Sequence, residues 1–335
     1  MKEVLILGGT RFIGRHLMKR LKADPELDIT LFHRGKTNDG LYPNTARILG
    51  DRTTDDIRRI MVQDWDVVID LSGYFPLSMQ RMVPRLEGRV GRYIYLSTVS
   101  VYAPTGNLME PLTEEAPTLA YTEEQLQSDD PMEHYGPKKK ACEDTLLDSS
   151  LDTIILRPSI VYGKHDYTDR FYYWLYRAAK GMRFLLPGAG RERVTLTYVD
   201  DLAGMLYRSI YLEEHRNIYN LSTHPPVSMR LLIKAIREQL RSGIEILNAP
   251  FGAIEAANKG HVPNFPLFTN TLGQDRMLYD NARARTDYDV EFTPFELSVR
   301  QYVEQLGPVG DWVEGSAGMR RKREERLMQA VLAMS

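Results

Sequence analysis

The chain is predicted to be α/β, a doubly wound parallel sheet followed by a smaller C-terminal region, and three observations lead there. The first is Val4-Leu5-Ile6-Leu7, a short apolar run that enters Gly8-Gly9-Thr10-Arg11-Phe12-Ile13-Gly14 and then a helical stretch over residues 15–22. The second is the alternation of apolar runs with helical patterns through the first half, the rhythm of a parallel sheet covered on both faces. The third is the loss of that rhythm over residues 164–190 and again from residue 223 onward, which points to a second unit assembled from two separated segments.

Taken in order, the opening unit is a strand, a glycine turn and a helix. Gly8 permits the tight turn, Gly14 lets the helix pack closely on the sheet, and the helix N-terminus offers free N–H groups to a pyrophosphate. The next strands are Ile29-Thr30-Leu31-Phe32, Val67-Val68-Ile69, residues 93–96 and Thr153-Ile154-Ile155-Leu156. Residues 106–131 are polar, acidic and proline-containing, with no strand pattern, and read as a loop-rich excursion of the kind that shapes a site's entrance. His134-Tyr135-Gly136-Pro137-Lys138-Lys139 then opens a helix. Tyr135 and Lys139 are one helical turn apart and face the same way. A lysine ammonium beside a phenol favours the phenolate and lowers a pKa that starts near ~10, which is the proton chemistry of a hydride-transfer enzyme. His134 either packs, touches substrate or relays protons. Phe171, Tyr172, Tyr173, Trp174 and Tyr176, followed by Phe184-Leu185-Leu186-Pro187, have helical spacing and read as core, with the remaining face left to stack on a sugar or aromatic substrate. Gly315-Ser316-Ala317-Gly318 breaks the chain before a charged, then amphipathic, terminal helix that folds back on its own subunit or meets a partner.

Together the glycine loop and the Tyr-x-x-x-Lys pair resemble an extended short-chain dehydrogenase/reductase of the NAD(P)-dependent epimerase/dehydratase type. Residues 93–102 resemble the strand ending in the active-site Ser/Thr, residues 156–163 the segment passing the nicotinamide, residues 198–203 the opening of a later helix and residues 219–222 the strand after it. The resemblance covers about residues 1–240 well. It implies a Rossmann cofactor-binding domain at residues 1–163, completed by 194–222, and a smaller substrate-binding region at 164–193 and 223–335 with a C-terminal helical tail. It implies Tyr135 as the catalytic acid/base, Lys139 holding the nicotinamide ribose, Thr98 bonding the substrate carbonyl oxygen and Ser97 as the nearby fallback. The cofactor would lie on Gly8, Thr10, Arg11, Phe12, Ile13 and Gly14, with Asp51 and Arg52 by the adenine. Leu71, Ser72 and Gly73 would line it after the Val67 strand, and Pro158 and Ile160 would flank the nicotinamide.

Cofactor choice turns on the end of the second strand, where NAD sites usually place an acid on the ribose hydroxyls. Here His33-Arg34-Gly35-Lys36 stands instead, and Arg11 adds a charge where the family has the middle glycine, so NADP is favoured with NAD as the alternative. Val99-Ser100 replaces the acidic pair that dehydratases of the family carry, which argues against dehydration. Val194 stands where an arginine flanks the pyrophosphate of nucleotide sugars, with Arg191 and Arg193 displaced, and no proline-preceded arginine appears near Asn264-Phe265-Pro266. The leading expectation is therefore an oxidoreductase acting on a hydroxyl or carbonyl carbon of a small polar metabolite or sugar derivative. A nucleotide-sugar epimerase with retained NAD is the second reading. The third is a non-catalytic or RNA-binding member, because the glycine loop also resembles that of the chloroplast stem-loop-binding proteins.

Composition narrows the field. A net charge of -2 over 335 residues argues against general affinity for nucleic acid or an anionic membrane. The single cysteine, Cys142, excludes an internal disulfide and reads as packing. The seven histidines have no metal-ligand spacing, so no metal is expected. No apolar run reaches ~18 residues and the first strand begins at once, so a cytoplasmic protein is expected. A homodimer is implied by the family resemblance alone.

Overall fold

The computed structural model describes residues 1–104, 110–223, 225–261, 263–268 and 277–334. The first half runs β1 (Lys2–Leu7), α1 (Phe12–Leu21), β2 (Leu27–His33), β3 (Ala46–Leu49), β4 (Trp65–Asp70), α2 (Pro76–Leu86), β5 (Val90–Leu96), α3 (Glu123–Gln127), α4 (Tyr135–Leu147) and β6 (Thr153–Pro158). The middle runs β7 (Ile160–Tyr162), α5 (Tyr172–Ala179), β8 (Phe184–Pro187), β9 (Arg193–Val194), β10 (Leu196–Tyr198), α6 (Val199–Arg208) and β11 (Ile218–Leu221). Then follow β12 (Val227–Ser228), α7 (Met229–Leu240), β13 (Ile246–Ala249), α8 (Phe251–Ala257), α9 (Ala282–Tyr288), α10 (Phe295–Leu306) and α11 (Arg321–Ala333).

Seven strands form one parallel sheet in the order β11-β6-β5-β4-β1-β2-β3. Successive side chains of β1 leave on opposite faces. Val4 and Ile6 join Leu17, Met18 and Leu21 of α1 and Leu202, Ala203 and Leu206 of α6. Leu5 and Leu7 join Met79, Met82 and Val83 of α2 and Cys142 and Leu146 of α4. Burial on both faces is why the central strands are continuous apolar runs in the sequence. β3 was not anticipated: Arg47 and an exposed Leu49 break the apolar signal at this edge. The strand order reverses at β1, which has β2 on one side and β4 on the other, and that reversal opens a crevice at the C-terminal ends of the strands.

Residues 164–193 and 225–334 hold most of a further apolar cluster centred on Phe171, Trp174, Phe184, Leu232 and Val299. The aromatic run is largely core: Phe171, Tyr173 and Trp174 are buried, and the Tyr162 and Phe171 rings stack 4.5 Å apart at 13°. Tyr172 lies instead against Tyr176 and Trp312. The terminal helix folds back on the same chain, burying Leu327, Met328 and Val331, while Glu324 pairs with the buried Arg177 guanidinium. Among the described residues no helix is long and apolar enough to cross a membrane.

Candidate active site

Gly8 and Gly9 turn the chain out of β1 with φ of +105° and +93°, conformations open to glycine. A Cβ on Gly14 would stand 2.5 Å from the Gly9 Cα, so the helix start presses on the loop itself rather than on the sheet. Arg11 precedes α1 without capping it through its side chain, and the first turn holds no acid. The amide N–H groups at that end are left for an anion. Gly9 is part of this cradle, although only Gly8 and Gly14 were singled out in the sequence.

A cavity of about 1300 Å³ occupies the crevice where the strand order reverses. Its wall includes Gly8, Thr10, Arg11, Phe12, Ile13 and Gly14, then His33, Arg34 and Lys36, Asp51 and Arg52, Leu71 and Ser72, Ser97 and Thr98, Tyr135 and Lys139, and Pro158 and Ile160. Gly73 does not line it. Its carbonyl lies behind the wall and accepts from Lys139 Nζ at 2.9 Å and from the Tyr95 hydroxyl at 2.7 Å. Arg52 contributes to the wall, with Nη1 donating to the hydroxyl of the neighbouring wall residue Ser72 at 3.2 Å. Nη1 donates to Asp70 Oδ1 at 2.6 Å and Nη2 to Met79 Sδ at 3.0 Å. Burial alone would raise the Asp70 carboxyl, and Arg52 outweighs it and holds the pKa below the ordinary value.

After β2, Arg34 is exposed and 3.8 Å from Asp51 Oδ2. His33 Nδ1 accepts from the Gly35 N–H at 3.1 Å, and burial lowers its pKa. Arg11 stacks over the Tyr167 ring, 4.1 Å from its centroid.

Tyr135 is the first residue of α4, entered through His134 in a left-handed conformation at φ +53°. His134 itself does not line the cavity. Gly136 brings the helix start against the chain after β5: a Cβ there would be 2.3 Å from the Ser100 carbonyl oxygen. Across that contact, Thr98 accepts from the Ser100 N–H at 3.1 Å and caps the turn Val99–Val101. Burial pushes the Tyr135 phenol up to about 12, and a hydrogen bond with Thr98 pulls the other way. Lys139 does not ease that phenol toward phenolate as expected. Its ammonium is buried and donates to the Gly73 and Leu96 carbonyls at 2.9 and 2.6 Å, 4.2 Å from the Tyr95 ring centroid, and burial lowers its pKa to about 8. One face of a helix does not make a contact when the longer side chain finds carbonyl partners deeper in.

Ser97 is likewise committed elsewhere. Its hydroxyl donates to Glu143 Oε1 at 2.5 Å, and Arg157 grips the same carboxylate through Nε at 2.9 Å and Nη2 at 2.6 Å. Arg157 also donates to the Tyr102 hydroxyl at 2.9 Å, which donates to Asn220 Oδ1 at 2.7 Å. Tyr102 stacks on Tyr279, 5.6 Å between centroids, and both line the cavity. Tyr74, with its ring 6.3 Å from that of Tyr135, Tyr279 and Arg170 line the cavity without having been anticipated. They lie in loops, where no periodicity marks a residue as facing a site. Val194 is buried on the wall and Arg191 is exposed. Among the described residues, no group of three or more His, Cys, Asp or Glu could hold a metal ion.

The model of the NAD dependent epimerase/dehydratase family matches residues 4–222. A curated relative, the chloroplast stem-loop binding protein of 41 kDa b from Arabidopsis thaliana, is 28% identical over 252 residues, 70% of this chain and 62% of that protein. The chain thus spans less than two thirds of that relative's length. Among solved structures, the UDP-glucuronic acid 4-epimerase from Bacillus cereus in complex with NAD is similar at 17% identity and a TM-score of 0.67, over 91% of this chain and 100% of that one. The UDP-glucose 4-epimerase from Thermotoga maritima with UDP-glucose is similar at 17% identity and a TM-score of 0.68, over 91% and 98%. These structures share the fold. With a match running from the first strand of the sheet to the end of its last, the chain belongs to the NAD dependent epimerase/dehydratase family.

Proposed function

We propose that the protein is an NAD(P)-dependent oxidoreductase of this family that moves hydride to or from a hydroxyl or carbonyl carbon of a small polar metabolite or sugar derivative. The observation that carries this is the continuity of one cavity from the glycine loop to Thr98, Tyr135 and Lys139. The residues present fit a dinucleotide. Gly8 and Gly9 leave the turn without side chains, α1 presents uncapped N–H groups, and the Gly14 contact keeps that helix end close. Bound there, the nicotinamide would accept or supply the hydride. Tyr135 donates or takes the hydroxyl proton, and its raised pKa keeps it protonated, as reduction of a carbonyl requires. Thr98 orients Tyr135 and bonds the substrate oxygen, while Lys139 holds the ribose end of the cofactor. Residues 1–163 with 194–222 carry the dinucleotide, and 164–193 with 223–335 cover the substrate.

Arg34 and Lys36, with Arg11 nearby, support NADP as the cofactor, since a guanidinium pairs with a 2′-phosphate. Denaturing the freshly purified protein and identifying released nucleotide by mass spectrometry tests this. NADP(H), or an empty site that binds NADPH better than NADH, is the expected result. NAD(H) near one per subunit supports the second reading, a nucleotide-sugar epimerase, which the likeness to 4-epimerase structures favours and Val194 opposes. The name of the Arabidopsis relative supports a third, RNA-binding reading. Retention of a stem-loop RNA that weakens steeply with salt would establish phosphate-driven binding.

A further inference from the structure

We propose that Arg170 forms an anion subsite in the substrate half of the cavity and selects substrates carrying a carboxylate or phosphate near the reacting carbon. The inference rests on Tyr135 as the acid/base. Of the cations on the cavity wall, Arg11, Arg34 and Lys36 sit at the glycine-loop and β2 end, Arg52 is paired with Asp70, and the Lys139 ammonium is bonded to two carbonyls. Arg170 is placed differently. It is half-buried, comes from the loop before α5, and its charge bears on the Tyr135 phenol.

Its guanidinium is aimed, and Asp166 on the same wall acts on it through space without forming an ion pair with it. Nε donates to Thr168 Oγ1 at 3.1 Å, and Thr168 is itself fixed by Asp166, whose Oδ1 accepts the Thr168 N–H at 2.9 Å and its hydroxyl at 2.7 Å. Asp169 is turned the other way, accepting from the Ser316 N–H and hydroxyl at 2.8 and 3.0 Å. Among the described residues no carboxylate forms an ion pair with Arg170, so its two terminal nitrogens are left as a fork of the shape that grips carboxylate or phosphate. Val194, apolar and buried on the same wall, offers nothing to a pyrophosphate. Tyr279, backed by the buried Tyr102 ring, offers an aromatic surface for the rest of a sugar-sized molecule. The substrate is therefore a compact anion rather than a nucleotide diphosphate sugar.

Calorimetry on protein saturated with its preferred dinucleotide tests the subsite, with inorganic phosphate, glucuronate and glucose as probes. Phosphate and glucuronate should bind, glucose should bind at least tenfold more weakly, and R170Q should weaken the two anions about tenfold or more with an unchanged near-ultraviolet circular dichroism spectrum. R170K should retain part of the affinity. Equal anion binding by wild type and R170Q, or glucose binding as tightly as glucuronate, overturns the proposal. If no dinucleotide binds, the catalytic reading fails separately, and the ratio of glucuronate to glucose affinity, compared between wild type and R170Q, still decides the subsite.

Discussion

Tyr135 and Lys139 lie one turn apart, yet they reach different partners, and their ionisation follows burial more than each other. Replacing Tyr135 with phenylalanine removes the proton donor and leaves the ring in place. The turnover number should fall about 10²–10⁴-fold, with dinucleotide affinity held within about twofold; unchanged turnover would remove Tyr135 from the mechanism. Lys139 has a signature in stability. Folded, it loses its proton near pH 8, against 10.5 for the unperturbed group, so between those values the unfolded chain binds more protons than the native one. Stability gains from Lys139 as pH rises through that window, at up to about 1.4 kcal/mol per pH unit. Urea unfolding of wild type and Lys139→Met from pH 7 to 10.5 should show the difference between them shifting in favour of wild type with pH. A flat difference would mean that Lys139 titrates normally.

At the scale of elements, two glycines set the distances that matter. Gly14→Ala puts a methyl 2.5 Å from the Gly9 backbone and pries α1 from the loop. Dinucleotide affinity should drop about tenfold or more, with about 1–3 kcal/mol lost from stability, as read by nucleotide titration and urea melts; an alanine variant with full affinity would show that the close approach is dispensable. Gly136→Ala meets the Ser100 carbonyl at 2.3 Å and should displace Tyr135 from Thr98, lowering turnover more than nucleotide binding in steady-state kinetics. The central strands were readable because two buried faces leave an apolar run at the middle of each, residues 4–7 in β1, 67–69 in β4, 93–96 in β5 and 154–156 in β6. The glycine loop was readable because its neighbours in sequence are its neighbours in space. Ser97 and Arg52 line the cavity and Gly73 stands behind it, and the direction of each hydroxyl, guanidinium or carbonyl depends on Glu143, Asp70 and Lys139, each far away in sequence. Arg170 and Tyr279 escaped notice because irregular segments carry no period.

For the whole molecule, the terminal helix is part of the fold. Glu324→Ala would strand the Arg177 charge, 3% exposed, beneath α11. The loss should be about 3–5 kcal/mol by urea unfolding, with Glu324→Gln less harmful; a variant within experimental error of wild type would mean the tail is only loosely attached. The buried chain Ser97, Glu143, Arg157, Tyr102 and Asn220 has a different consequence. It links β5, α4, β6 and β11 beneath the active site, and it leads out of the network at Asn220, whose Nδ2 donates to the Leu112 carbonyl at 3.2 Å. Sequence drift or directed evolution therefore meets these positions as one unit. A single exchange leaves an orphaned charge or hydroxyl, while a concerted apolar replacement can be tolerated, so variants of the catalytic floor should accumulate in sets and the substrate-facing loops should diverge one residue at a time.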